Sequence, residues 1–268
     1  MKEYLLEKTL RKDGCNIHYW ISKDVAGPWV LFLHGAGLDH NMFKEQVEAI
    51  KYRNKILVWD ARGHGLSRPI GNQFSIKLLV EDLINIMDIE RIDKVVLVGQ
   101  SMGGILAQEM AFYYPNRIDK LVLVDCPCNT MKLSVLEKVY IRIAHILMPM
   151  CPWSLLLAVG IRLSAIRKDV RNYIECTVKE VGKKDFVKIF LKTAEAFHFE
   201  EGYKINKKTL IVYGNKDSMR SIGNLTNKWC LDKANYYRIN FNEASHCANQ
   251  DRCRDFNRIL INFLGNKE

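Results

Sequence analysis

The chain has 268 residues, 48% of them hydrophobic and 26% charged, which fits one large domain or one domain with an insertion, with no low-complexity tract or internal repeat. The formal net charge is +10, yet Lys and Arg are interleaved with acids. No zinc-finger spacing, RNA-binding aromatic motif or arginine-rich arm accompanies them, so nucleic-acid binding is not expected.

The opening stretch, MKEYLLEKTLRKDG, is charged from its second residue and lacks the apolar centre of a signal peptide. Strands are expected over 4–10 and 16–22. Short apolar runs bounded by turn residues then begin at Trp29, Lys55, Lys94, Lys120 and Thr209, and a further strand-like stretch precedes His246. Runs rich in Val, Ile and Leu suit strands buried on both faces, as in a parallel sheet. Helical patterns alternate with them over 42–53, 75–87 (with Ser75 as N-cap), 102–114, 222–231 and 254–263. That alternation predicts a wound α/β sheet.

Between 127 and 205 the alternation stops and the pattern is helical throughout. This segment is expected to be an inserted helical cap over the carboxyl edge of the sheet, where α/β sheets bind ligands. Residues 1–126 and 206–268 then form the core. The run IAHILMPMCPWSLLLAVGI, 143–161, carries no formal charge while His145 is neutral, and is long enough to raise a membrane span. Pro149 and Pro152 argue instead for two apolar helices joined at a proline elbow.

One motif carries chemistry. Gly99-Gln100-Ser101-Met102-Gly103 matches G-x-S-x-G, lying after an apolar run and before a helical pattern. Such a turn lifts a serine hydroxyl clear of the sheet, and side chains at either glycine would collide with the neighbouring strand and helix. Serine needs a base. Among seven histidines, His246 alone lies after Ser101 in a strand-end loop. His34 and His64 sit in glycine turns and are expected to brace backbone. His145 is read as a hydrogen-bonded core or pocket histidine, and His18, His40 and His198 as surface or packing residues. Asp217, past the run TLIVYGNKD, is the preferred acid partner for His246, with Asp125 as its rival. Two backbone N–H donors complete such a site, expected from Met102 and from Ala36 in the HGAG turn.

Together LFLHGAG, VWDARGHGLS, VGQSMGG, VYGNKD and ASHCANQ resemble the α/β-hydrolase superfamily in its capped, single-domain branch of carboxylesterases, lactonases, haloperoxidase-like enzymes and carbon–carbon bond hydrolases. The resemblance implies a mostly parallel sheet of about eight strands flanked by helices. It assigns Ser101 as nucleophile, His246 as base, Asp217 as acid, and Ala36 and Met102 as the oxyanion hole. It implies no metal and no cofactor, and makes the DARGHGLS turn mainly structural. The implied activity is hydrolysis of a small, partly apolar ester, thioester or lactone. The alternatives are a ligand receptor or signalling protein of the same fold with slow or vestigial hydrolysis, and a cofactor-free perhydrolase or haloperoxidase-like enzyme.

The eight cysteines include no CxxC pair, so reduced thiols and a cytoplasmic location are expected. The Leu, Ile, Val and Met of the cap segment, with Trp153, Phe186, Phe190, Phe197 and Phe199, are expected mostly to pack the cap against itself and the sheet, some of them lining an apolar acyl pocket. The segment 127–205 holds thirteen Lys and Arg against eight Asp and Glu. An apolar, basic lid suits an anionic lipid surface, but an ordinary soluble lid is the reading preferred.

Overall fold

The structure, a computed structural model, describes residues 4–218 and 235–265. The helix expected over 222–231 lies outside the described residues.

The chain starts with a hairpin. β1 (Leu5–Lys12) and β2 (Cys15–Ser22) pair antiparallel. Asp13 and Gly14 between them both take positive φ, the conformation that an Asp-Gly hairpin turn supplies. Next come β3 (Trp29–Leu33), a 3-10 turn at His40–Phe43, α1 (Lys44–Ile50) and β4 (Lys55–Trp59). The helix expected over 42–53 is therefore shorter and enters through the tighter turn. Asp39 caps that turn by accepting from the Asn41 N–H. An apolar period does not register such a cap.

α2 (Ile76–Ile89) begins where Ser75 accepts from the Leu78 N–H, as predicted. β5 (Val95–Gln100) runs into α3 (Met102–Tyr113), and β6 (Ile118–Val124) follows. Four helices come next: α4 (Val135–Met150), α5 (Trp153–Ser164), α6 (Lys168–Val181) and α7 (Lys183–Ala194). Pro149 sits in the last turn of α4 and Pro152 caps α5, so the proline elbow is real. β7 (Lys208–Gly214), β8 (Tyr236–Phe241), α8 (Ala248–Asp251) and α9 (Cys253–Gly265) close the described chain.

The eight strands form one sheet in the order β1-β2-β4-β3-β5-β6-β7-β8. Pairing is antiparallel at β1–β2 and β2–β4 and parallel from β4 to β8. Both faces are covered. Leu31, Leu33, Leu97, Leu121 and Ile211 pack on one side with α2 and α3. Val30, Phe32, Val96, Val98, Val122 and Val212 point to the other, against α1 and α9. Each central strand thus gives alternate side chains to two cores, which explains the unbroken apolar runs.

The outer helices depart from expectation. Glu137 is the only buried residue of α4, and α5 has none. α4 rests on α7 and α5 on α6, so much of the apolar surface expected to pack inward faces solvent. Helical spacing marks an apolar stripe but does not say which way the stripe points.

Candidate active site

Ser101 stands between β5 and α3 with φ +51 and ψ −114, a strained backbone for a residue with a Cβ. The strain is held by the surroundings. The Ser101 N–H donates to the Val124 carbonyl at 2.9 Å, and the Ser101 carbonyl accepts from Gly104 and Ile105 at 2.9 and 3.0 Å. A side chain at Gly99 would run into the Gly103 backbone, and one at Gly103 into the Leu33 carbonyl. The two glycines let the elbow, β3 and α3 approach each other closely.

The fold brings Asp217 and His246 to this serine. The His246 ring contacts Ser101 Oγ through Nε2 at 2.9 Å and Asp217 Oδ2 through Nδ1 at 3.0 Å. A carboxylate only accepts, so Nδ1 carries a proton. In the neutral imidazole, Nε2 is then the acceptor of the serine hydroxyl proton. Burial by itself pulls the His246 pKa down, but the Asp217 carboxylate, by charge and by hydrogen bond, and the nearby Asp125 outweigh it and push it up to about 9.

Asp125, the rival acid, does different work. It is buried, and its two oxygens accept from the Gly214 N–H at 2.8 Å and the Ala248 N–H at 2.9 Å. It therefore ties the end of β7, which leads to Asp217, to the start of α8, just past His246. Burial first, then the Asp217 charge, raises its pKa well above the usual carboxylate range.

Gln100 is a residue that sequence reasoning missed, because it fills a free position in the motif. It is buried, and its Nε2 donates to the His246 carbonyl at 2.7 Å. Its Oε1 meets no donor among the described residues and faces Gly35, where any Cβ would strike it.

The HGAG turn lies beside Ser101: a Cβ on Gly35 would sit 3.5 Å from Ser101 Cβ. His34 holds this turn. Its Nε2 accepts from the Ala61 N–H at 3.0 Å, so Nδ1 carries the proton and donates to the Gly35 carbonyl at 2.8 Å. Burial lowers the His34 pKa, keeping the ring neutral for that role. His64 is likewise buried, donates from Nδ1 to the Arg62 carbonyl at 3.0 Å, and has its pKa driven down to about 3 by burial. Both therefore brace backbone, as expected. Ala36 is half-buried in the turn, and Met102 is buried at the first position of α3, where backbone N–H groups lack partners within the helix.

Three of the other histidines have hydrogen-bonded acid partners, most of them brought from other parts of the chain. His40 Nδ1 meets Asp60 at 2.8 Å, His18 meets Glu7 at 3.0 Å, and His198 bridges Glu109 and Glu200 at 2.8 and 2.9 Å. His145 donates to the Ile141 carbonyl of its own helix. In the DARGHGLS turn, Arg62 forms a fully buried two-pronged pair with Asp82 of α2 at 2.6 and 2.9 Å, in keeping with a structural role.

Helices α5 to α7 border the site. A side chain at Gly37 would press on Val178 and Phe186. Phe186 packs 5.8 Å from Trp153 and 6.5 Å from Phe190, centroid to centroid. Ser245 Oγ donates to the Leu163 carbonyl at 2.6 Å, and the Cys247 N–H to the Ser164 carbonyl at 2.8 Å. The residues either side of His246 are thus joined to the end of α5. A separate groove of about 840 Å³, lined by Gln46, Arg167, Tyr173 and Asn249 among others, contains none of Ser101, Asp217 and His246.

Residues 28–144 match the model of the α/β hydrolase fold family. The chain is 31% identical over 114 residues to 3-oxoadipate enol-lactonase 1 of Acinetobacter baylyi, covering 42% of each chain. It is 31% identical over 120 residues to epoxide hydrolase 4 of Mus musculus, covering 44% of this chain and 33% of the relative. The matched stretch therefore spans less than half the length of these curated relatives. The crystal structure of the enol-lactonase from Burkholderia xenovorans LB400 superposes with a TM-score of 0.81 at 20% identity, over 97% of this chain and 100% of that one.

Proposed function

We propose that this protein, whose residues 28–144 match the α/β hydrolase fold family and whose fold is shared with an enol-lactonase, is a serine hydrolase of small, partly apolar carboxylic esters, thioesters or lactones. The observation that carries this reading is the unbroken line of contacts from Asp217 through His246 to Ser101 Oγ at the elbow.

In the proposed mechanism His246 Nε2 takes the Ser101 proton as Oγ attacks the substrate carbonyl carbon. Asp217 holds the ring in the required tautomer and stabilises the imidazolium. The N–H groups of Ala36 and Met102 receive the oxyanion. The bond to the leaving alcohol breaks as His246 returns the proton to it, leaving an acyl-serine. A water then gives its proton to His246 and attacks the acyl carbon, and Ser101 leaves as the alcohol. Each step uses groups of this chain and one water.

The segment 127–205 serves as the cap. Phe186 beside the HGAG turn offers an apolar wall to the acyl side of a substrate. A lactonase among the relatives suits this substrate class. The cytoplasm is the proposed compartment, on eight cysteines without a CxxC pair.

Hydrolysis of a short-chain chromogenic ester by wild type and Ser101→Ala tests the reading. Loss of turnover by roughly a thousandfold or more supports it. Equal turnover in both sinks it, as does failure of a phosphonate ester to add its mass to Ser101.

A further inference from the structure

The outer faces of α4 and α5 carry an apolar surface that the fold does not cover. On α4, Leu136, Tyr140, Ile143, Leu147 and Met150 recur at helical spacing and all are exposed, Leu136 at 81% and Met150 at 75%. On α5, Leu155, Val159 and Leu163 form a shorter exposed stripe. Helices normally turn such a stripe inward. Here the inward side of α4 is taken by Glu137, Ile141, Ala144 and Met148, which are buried or half-buried.

The charge on these helices has one sign. From 131 to 166 the chain carries Lys132, Lys138, Arg142 and Arg162 against a single acid, Glu137. Glu137 is buried and engaged in a capping box with Ser134, so it does not offset them at the surface. All four cations are exposed. Apolar stripes whose own helices expose cations and no acid match an interface of acyl chains and anionic headgroups. Among the described residues no helix is long and apolar enough to cross a membrane, so such helices would lie along the surface.

We propose that α4 and α5 dock this protein on an anionic lipid surface, with Leu136, Ile143 and Leu147 seated among the acyl chains and Lys138 and Arg142 at the headgroups. A second copy of the chain fits the same face poorly. Apposed copies would bring like cations together with no exposed acid on either stretch to answer them. The inference does not rest on the esterase reading.

Flotation of the full chain with lipid vesicles tests it. The protein should float with phosphatidylcholine vesicles containing phosphatidylglycerol, far less with phosphatidylcholine alone, and less as salt rises above about 0.1 M. Ile143→Glu with Leu147→Glu, and separately Lys138→Glu with Arg142→Glu, should each weaken binding roughly tenfold or more. Circular dichroism checks that the variants are folded. The charge pair keeps the test decisive should the apolar pair fail to fold. Absence of wild-type binding to the anionic vesicles overturns the proposal, as do folded variants that bind like wild type. So does light scattering that shows a stable dimer formed through this face in place of vesicle binding.

Discussion

At the scale of single residues, the proposed role of His246 sets opposite pH dependences for activity and stability. As the proposed base it must be neutral to accept the Ser101 proton, so kcat/KM should rise as pH climbs through its pKa. That pKa is raised from the ordinary value near 6.5 to about 9 by Asp217 and Asp125 against the pull of burial. The rising limb should therefore lie clearly on the alkaline side of 6.5. Stability runs the other way. Because the folded pKa exceeds the unfolded one, the stabilisation by the carboxylates is complete below about 6.5 and is lost as pH rises through about 9. Asp217→Asn should bring the limb down toward neutrality and lower kcat by about a thousandfold or more. A limb at or below 6.5 in the wild type, or one that Asp217→Asn leaves in place, would contradict the arrangement. Ser101, His246 and Asp217 were legible in the sequence because each is a chemically distinctive side chain at the end of a recognisable strand. Gln100 was not, since what it holds is a backbone carbonyl 146 positions away.

At the scale of elements, α5 and the loop of His246 act as one piece, and Asp251 of α8 is the fastening. Its carboxylate accepts from the N–H groups of Ser245 at 2.9 Å, and of Ile166 and Arg167 at 3.0 Å. Asp251→Ala would strand three donors in a largely buried place. About 3 kcal/mol of stability should be lost, and kcat should fall more than KM rises, because the base is displaced rather than the substrate wall. Urea unfolding and steady-state kinetics on the variant check both; unchanged kcat in a destabilised variant would leave Asp251 a stabilising residue with no effect on the base. The strands and main helices were readable because burial on two faces demands apolar runs and burial on one demands a stripe. Asp251 escaped notice for the same reason as Gln100: its partners are peptide groups from another part of the chain. The elbow between α4 and α5 was readable because proline announces itself.

At the scale of the molecule, stability is concentrated in the sheet and thins toward the outer helices. Leu97, in the middle of β5, is fully buried between β3 and β6 with α2 and α3 above it. Leu136 on α4 is 81% exposed. Both are leucines within stretches rich in aliphatic residues, and residue type alone would rank them alike. Leu97→Ala should cost about 2–5 kcal/mol through lost burial and a residual cavity. Leu136→Ala should stay within about 0.5 kcal/mol. The same gradient predicts hydrogen exchange. Amides of β3, β5 and β6 should exchange only through global opening, whereas α4, held on one side by α7, should open locally at a much lower free energy. Native-state exchange read by mass spectrometry separates the two cases. Equal protection of α4 and β5, or equal cost of the two leucine substitutions, would mean that α4 is anchored far more firmly than its solvent-facing apolar stripe allows.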